Sequence, residues 1–175
     1  MASNVEDRKK ELEAALQLVK VRFEKERFEI ATAKKALEDA STPLKTRYEL
    51  ATAFASICKE ALGNRLGSSI ILDLYGLFKV IGNLPIAPNR PAPYQMVKRA
   101  KYDNHRRYLN EQSELIAKGR TADSVLNEFQ TRYITFTTGI MDNPTYTKTI
   151  EEAFSAAVPA AAPAAAAAPA ARATA

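Results

Sequence analysis

The sequence predicts an all-α protein: an antiparallel helical bundle, with a four-helix core and a long N-terminal helix, followed by a disordered Ala/Pro-rich C-terminal tail. Three observations lead there. Glycine is scarce, at six in 175 residues, in a chain rich in Ala, Glu, Lys and Leu. Apolar residues recur at helical spacing through most of the chain. Helix-start and helix-stop residues punctuate it at intervals suited to helices of ordinary length. A hydrophobic fraction of 46% in a chain of this size is enough for one buried core. The predicted boundaries are a helical domain over residues 1–157 and a tail over 158–175.

The first helix opens at Ser3, with Glu6 three residues on, the spacing of a capping box. From there Leu16, Phe23, Ile30 and Leu37 form one seven-residue row, with Leu12, Val19 and Ala33 on the next and Glu26 interrupting it. Such a stripe fits either a helix lying along its own bundle or a coiled-coil contact between subunits. Thr42-Pro43 reads as an N-cap followed by proline at the first helical position. The second helix would bury Tyr48, Ala51, Phe54, Cys58, Ala61 and Leu62 and stop at Gly63-Asn64. A third, from Ser68 or Ser69 to the stop at Gly82-Asn83, carries Ile70, Ile71, Leu74, Leu77, Phe78 and Ile81. As the most apolar segment, it is expected at the centre of the core.

Residues 84–93 hold four prolines and cannot be regular helix. A fourth helix is expected from Tyr94 to Ala117, broken by Gly119. Thr121 caps a fifth, with Asp123 and Ser124 in its opening turn, Val125, Leu126, Phe129, Tyr133 and Phe136 inside, and a glycine stop at Gly139. Asn143-Pro144 opens a last short helix that docks through Ile150, Phe154 and Ala157. Beyond Val158, alanine and proline alternate with almost no charge, a composition without means to form a core.

Charge is distributed unevenly. The chain carries a net +5, and residues 85–120 alone supply +5. Residues 1–41 cancel, and residues 42–84 (+2) offset 121–175 (−2). A basic window on a balanced protein points to a polyanion partner. The segment from Lys98 to Arg107 interleaves Lys98, Arg99, Lys101, Arg106 and Arg107 with tyrosines. Wound as a helix, it sets Lys98, Lys101, His105 and Tyr108 along one stripe and Arg99, Tyr102 and Arg106 along the adjacent one. Guanidinium groups suit phosphate, and tyrosines can stack on unpaired bases. The bland reading of the same run is a solvated basic face. Arg120 and Asp123 straddle the start of the fifth helix, where the simplest expectation is that they pair and Asp123 favours the helix N-terminus.

The remaining composition points away from catalysis. A lone His105 has no neighbouring nucleophile–base arrangement, and no zinc, calcium or phosphate-loop motif is present. No cofactor, metal or small-molecule substrate is expected. Cys58 is the single cysteine and sits on an apolar face, as a packed residue would. No apolar run is long enough for a membrane span, and the charged N-terminus lacks a secretory core.

The order of parts in the last third resembles the coat proteins of rod-shaped plant RNA viruses, the tobamovirus-like family. The matching pieces are Asp123-Ser124-Val125-Leu126 at a helix start and Pro144-Thr145-Tyr146-Thr147-Lys148, closed by Glu151. The stretch Asn104 to Gln112, NHRRYLNEQ, is similar to the arginine-bearing end of that family's preceding helix, and CKEALGN, Cys58 to Asn64, is a weaker echo. The chain departs from the family in having no tryptophan, and in Lys148 and Ile150, where arginine and an aromatic are more usual. The resemblance implies a structural coat subunit that polymerises helically with itself around single-stranded genomic RNA, found in the virion and, before assembly, in the host cytoplasm. It also implies that Arg106, Arg107, Arg120 and Asp123 lie at the RNA groove. The alternative from another class is a helical scaffold subunit of a cellular assembly that uses the heptad helix to bind a protein partner.

Overall fold

The computed structural model describes residues 30–157, and they are all-helical. The capping box at Ser3, the heptad positions before Ile30 and the Ala/Pro tail lie outside the described residues. Six α-helices follow in order: α1 (Ile30–Glu38), α2 (Leu44–Leu62), α3 (Ser68–Ile81), α4 (Met96–Ala117), α5 (Ala122–Met141) and α6 (Pro144–Ala157), with a single 3-10 turn at Gly63–Arg65.

The helix ends show why these residues stop and start where they do. Asp39 accepts hydrogen bonds from the Ser41 backbone N–H (2.9 Å) and from the Ser41 and Thr42 hydroxyls (2.7 and 3.3 Å), closing the turn between α1 and α2. Thr42 is therefore not the N-cap of α2. Its hydroxyl is engaged backwards, and Pro43 occupies the cap position without a side-chain hydrogen bond. At the end of α3 the left-handed residue is Asn83 (φ 49°), not Gly82. The Asn83 N–H donates to the Val80 carbonyl and the Leu84 N–H to the Lys79 carbonyl, the two bonds of a Schellman motif. The same pair closes α4, from Gly119 to Ile116 and from Arg120 to Leu115, with Gly119 at φ 89°. Thr121 caps α5 as expected, its hydroxyl accepting from the Ser124 N–H at 3.2 Å. Gly139 is not a stop: α5 runs through it to Met141. Asn143 then caps α6, its side-chain oxygen accepting from the Thr145 and Tyr146 N–H groups.

The centre of the core is α2 against α5, not α3. On α2 the run Ala51 to Ala55 is buried without a break, followed by Ile57, Cys58 and Leu62. Facing it, α5 buries Val125, Phe129, Gln130, Tyr133, Ile134, Thr137, Ile140 and Met141, while Leu126 and Phe136 are half-buried. Tyr48 and Tyr133 meet edge-to-face with ring centres 5.2 Å apart. The buried Thr137 hydroxyl donates to the Tyr133 carbonyl at 3.0 Å and so carries no unmet donor inside. The third helix buries only Leu74, Gly76, Leu77 and Val80; Ile70, Ile71, Phe78 and Ile81 flank the core half-covered. Hydropathy ranks segments by content, whereas position in the core follows from how many neighbours a helix has. Here α2 is covered by α1, α5 and α6, while α3 packs on α4 and α5.

The heptad row continues correctly where it is described: Ile30 and Leu37 are both buried, on a helix that packs against α2 and α5. Lys34 adds an ion pair to Asp142 at the end of α5. Ile150 anchors α6 to the core at 1% exposure. No described helix is long and apolar enough to cross a membrane.

Candidate nucleic-acid interface

The basic window becomes the Pro-rich connection and α4. With 22 residues, α4 is about 33 Å long, against about 21 Å for the 14-residue α3 that it packs on. Only His105 and Tyr108 of α4 are buried. Its first turn carries Met96 (76% exposed), Val97 (69%) and Lys98, preceded by Tyr94 (83%). The connection is tied down by Arg90, which grips Asp103 through two hydrogen bonds of 2.7 and 2.5 Å. That guanidinium holds the Asp103 carboxyl below its ordinary range.

The predicted stripe of Lys98, Lys101, His105 and Tyr108 faces inward over its second half. His105 is 3% exposed and Tyr108 4%. Tyr108 meets Phe129 edge-to-face at 5.9 Å, and its hydroxyl donates to Asp73 at 3.1 Å. Burial, with Asp73 beside it, pushes its phenol up to about 12. This tyrosine is thus a core residue and cannot stack on a base. His105 is held neutral by burial and by the charge of Lys79, and its Nε2 has no hydrogen-bond partner. Lys101 is half-buried, its ammonium 5.4 Å from the centre of the Tyr75 ring on α3.

The four residues at the resemblance's groove divide into two pairs. Arg106 and Asp123 are exposed and have no ion pair among the described residues. Arg107 and Arg120 are engaged. Arg107 pairs with Asp73 and lies 4.6 Å over the Tyr108 ring. Arg120 does not pair with Asp123. It pairs with Glu128 and donates to the Ser124 hydroxyl at 2.8 Å and the Ser124 carbonyl at 3.1 Å. The reason is geometric: Glu128 lies one turn beyond Ser124 on the face that the Schellman turn aims Arg120 at, while Asp123 points elsewhere on the helix. Glu128 is shared with Arg132, which reaches Glu111 on α4 at 2.5 Å. The result is an alternating chain Arg120–Glu128–Arg132–Glu111, and its Arg120 end holds Glu128 below the ordinary carboxylate range.

Once these pairs are counted, the cations without a carboxylate ion pair on α3 and α4 are Lys79, Lys98, Arg99, Lys101 and Arg106 in the described structure up to Arg107. Arg99 and Arg106 are seven residues apart, on one row of α4. Lys79 and its neighbour Tyr75 were not legible as site residues, because α3 reads as a purely apolar helix. No group of three or more His, Cys, Asp or Glu that could hold a metal occurs among the described residues. Comparison of the chain with protein-family models, curated proteins and solved structures returned no match.

Proposed function

We propose that the chain is the coat subunit of a rod-shaped RNA virus, polymerising helically with copies of itself around single-stranded RNA. The observation that carries this reading is the row of uncompensated cations on α4, Lys98, Arg99 and Arg106, in the one window that supplies the whole net charge. Such a row neutralises phosphates regardless of base sequence, which a subunit coating an entire genome requires. In this reading the fold is an antiparallel four-helix core, α2 to α5, and α1 extends its long N-terminal helix. Arg106 meets phosphate directly. Arg107 and Arg120 exchange Asp73 and Glu128 for phosphate as the strand enters, and Asp123 tunes the site by repulsion. The exposed Tyr94, Met96 and Val97 give the neighbouring subunit an apolar contact. The protein then resides in virions and, before assembly, in the host cytoplasm.

Negative-stain microscopy of the purified protein with single-stranded RNA tests this: rods or stacked discs are expected. The groove is tested by reversing Arg106 and Arg107 to Glu, against the same reversal at Lys9 and Lys10 in the charge-balanced N-terminal region. RNA packaging should fail only in the first. Equal loss from both would reduce the effect to general electrostatics. A protein that stays monomeric at high concentration with RNA would favour the scaffold-subunit reading instead.

A further inference from the structure

Tyr75 stands at the seam between α3 and α4 with two cations on its ring. The Lys79 ammonium, one turn along α3, lies 5.6 Å from the ring centre, and that of Lys101, from α4, lies 5.4 Å from it. The two ammonium groups are therefore no more than about 11 Å apart. Both lysines are half-buried, and neither has a carboxylate partner among the described residues. The acids of the same two helices are engaged elsewhere, Asp73 by Arg107 and Tyr108 and Asp103 by Arg90. One turn beyond Lys101, the buried His105 feels the charge of Lys79 and stays neutral.

Like charges gathered on one ring repel each other, and a lysine on an exposed face is free to swing away. Holding both at a half-buried seam without a counter-charge leaves an electrostatic deficit that an anion would remove. Each ammonium has donors to spare for phosphate oxygens, and the ring fixes where those donors sit. Unlike Arg107 and Arg120, neither lysine must surrender an ion pair first.

We propose that Lys79 and Lys101 together hold a phosphate group across the α3–α4 seam, with Tyr75 as the platform that keeps both ammonium groups in place. For the source of that phosphate the proposal rests on the RNA-coating reading. It adds α3 to a path otherwise confined to α4 and the start of α5. A free phosphate-bearing ligand has the same chemistry, and the two sources can be separated.

His105 is the only histidine, so the intact protein gives one imidazole signal to follow by NMR. Titration with a short oligouridylate, and separately with inorganic phosphate, should shift that signal and raise its titration midpoint, because the anion offsets the charge of Lys79. Lys79→Gln with Lys101→Gln should abolish the shift and lower the salt slope of oligouridylate binding by about one per lysine. Lys79→Arg with Lys101→Arg keeps both charges and should retain the response, which separates lost binding from lost folding. Response to inorganic phosphate alone would keep the phosphate site and remove RNA as its source. Response to neither overturns the site. Oligouridylate binding that survives the double Gln variant but is lost with Arg106→Glu and Arg107→Glu would also overturn it, leaving the RNA reading intact.

Discussion

Gly76 sits under the Tyr108 ring. A Cβ there would meet ring carbons at 2.6 and 3.0 Å and the Asn104 carbonyl oxygen at 3.1 Å. Part of that obstacle is backbone, which cannot swing aside, so Gly76→Ala should lower stability by about 1–3 kcal/mol despite alanine's better helix propensity. Gly139 is the opposite case: nothing lies within 4 Å of its would-be Cβ, inside the last turns of α5. Gly139→Ala should raise stability by roughly 0.5–1 kcal/mol, and urea unfolding of both variants checks the pair. His105 gives a pH prediction of definite sign. Its folded form resists protonation because it is buried and beside Lys79, so the unfolded chain binds the proton more readily. Stability should therefore be full above about pH 6.5 and fall as pH drops below it, with His105→Gln flattening the decline between about pH 5 and 6.5. The inward turn of His105 and Tyr108 could not be read from the sequence. A helical wheel fixes which residues share a face but not which face is covered, and a basic run with two tyrosines looks solvated throughout.

Helices were more legible than faces, for reasons that can be named. Pro144 after Asn143, Thr121 before Ala122, and the Gly119 break are local chemistry, and α4, α5 and α6 begin or end where that chemistry says. Gly139 misled because a glycine ends a helix when the backbone turns left-handed, and nothing in its neighbours forces that turn. Thr42 misled because Asp39, three residues back, competed for its hydroxyl. At Gly119 the left-handed turn is real (φ 89°), so Gly119→Ala should cost about 1 kcal/mol or more in thermal unfolding even though its side-chain space is empty. The Arg120–Glu128–Arg132–Glu111 chain follows directly from that turn and bridges α4 to α5. Its members are partly exposed, so Glu128→Gln should lower stability by no more than about 1 kcal/mol, an effect that shrinks in high salt. A double-mutant cycle between Arg120 and Arg132 would show whether the shared carboxylate couples them.

Over the whole molecule, the all-helical class was legible from glycine scarcity and helical spacing, while the choice of α2 and α5 as the centre was not. That choice depends on the long-range neighbours of each helix, and hydropathy carries no such information. Sedimentation of the purified protein across a salt series should reveal large species, whose RNA content falls as salt rises if phosphate contacts dominate. The buried position of Cys58 has a practical consequence at this scale. Its sulfur is fully enclosed between helices, and burial pushes the thiol up to about 12, so the nucleophilic thiolate is almost absent at neutral pH. The native protein should therefore be silent toward iodoacetamide, and its alkylation rate should count only the moments when the helices part. The chain thus carries one built-in clock for opening, and it leaves any cysteine introduced on the surface as the sole site a dye would label.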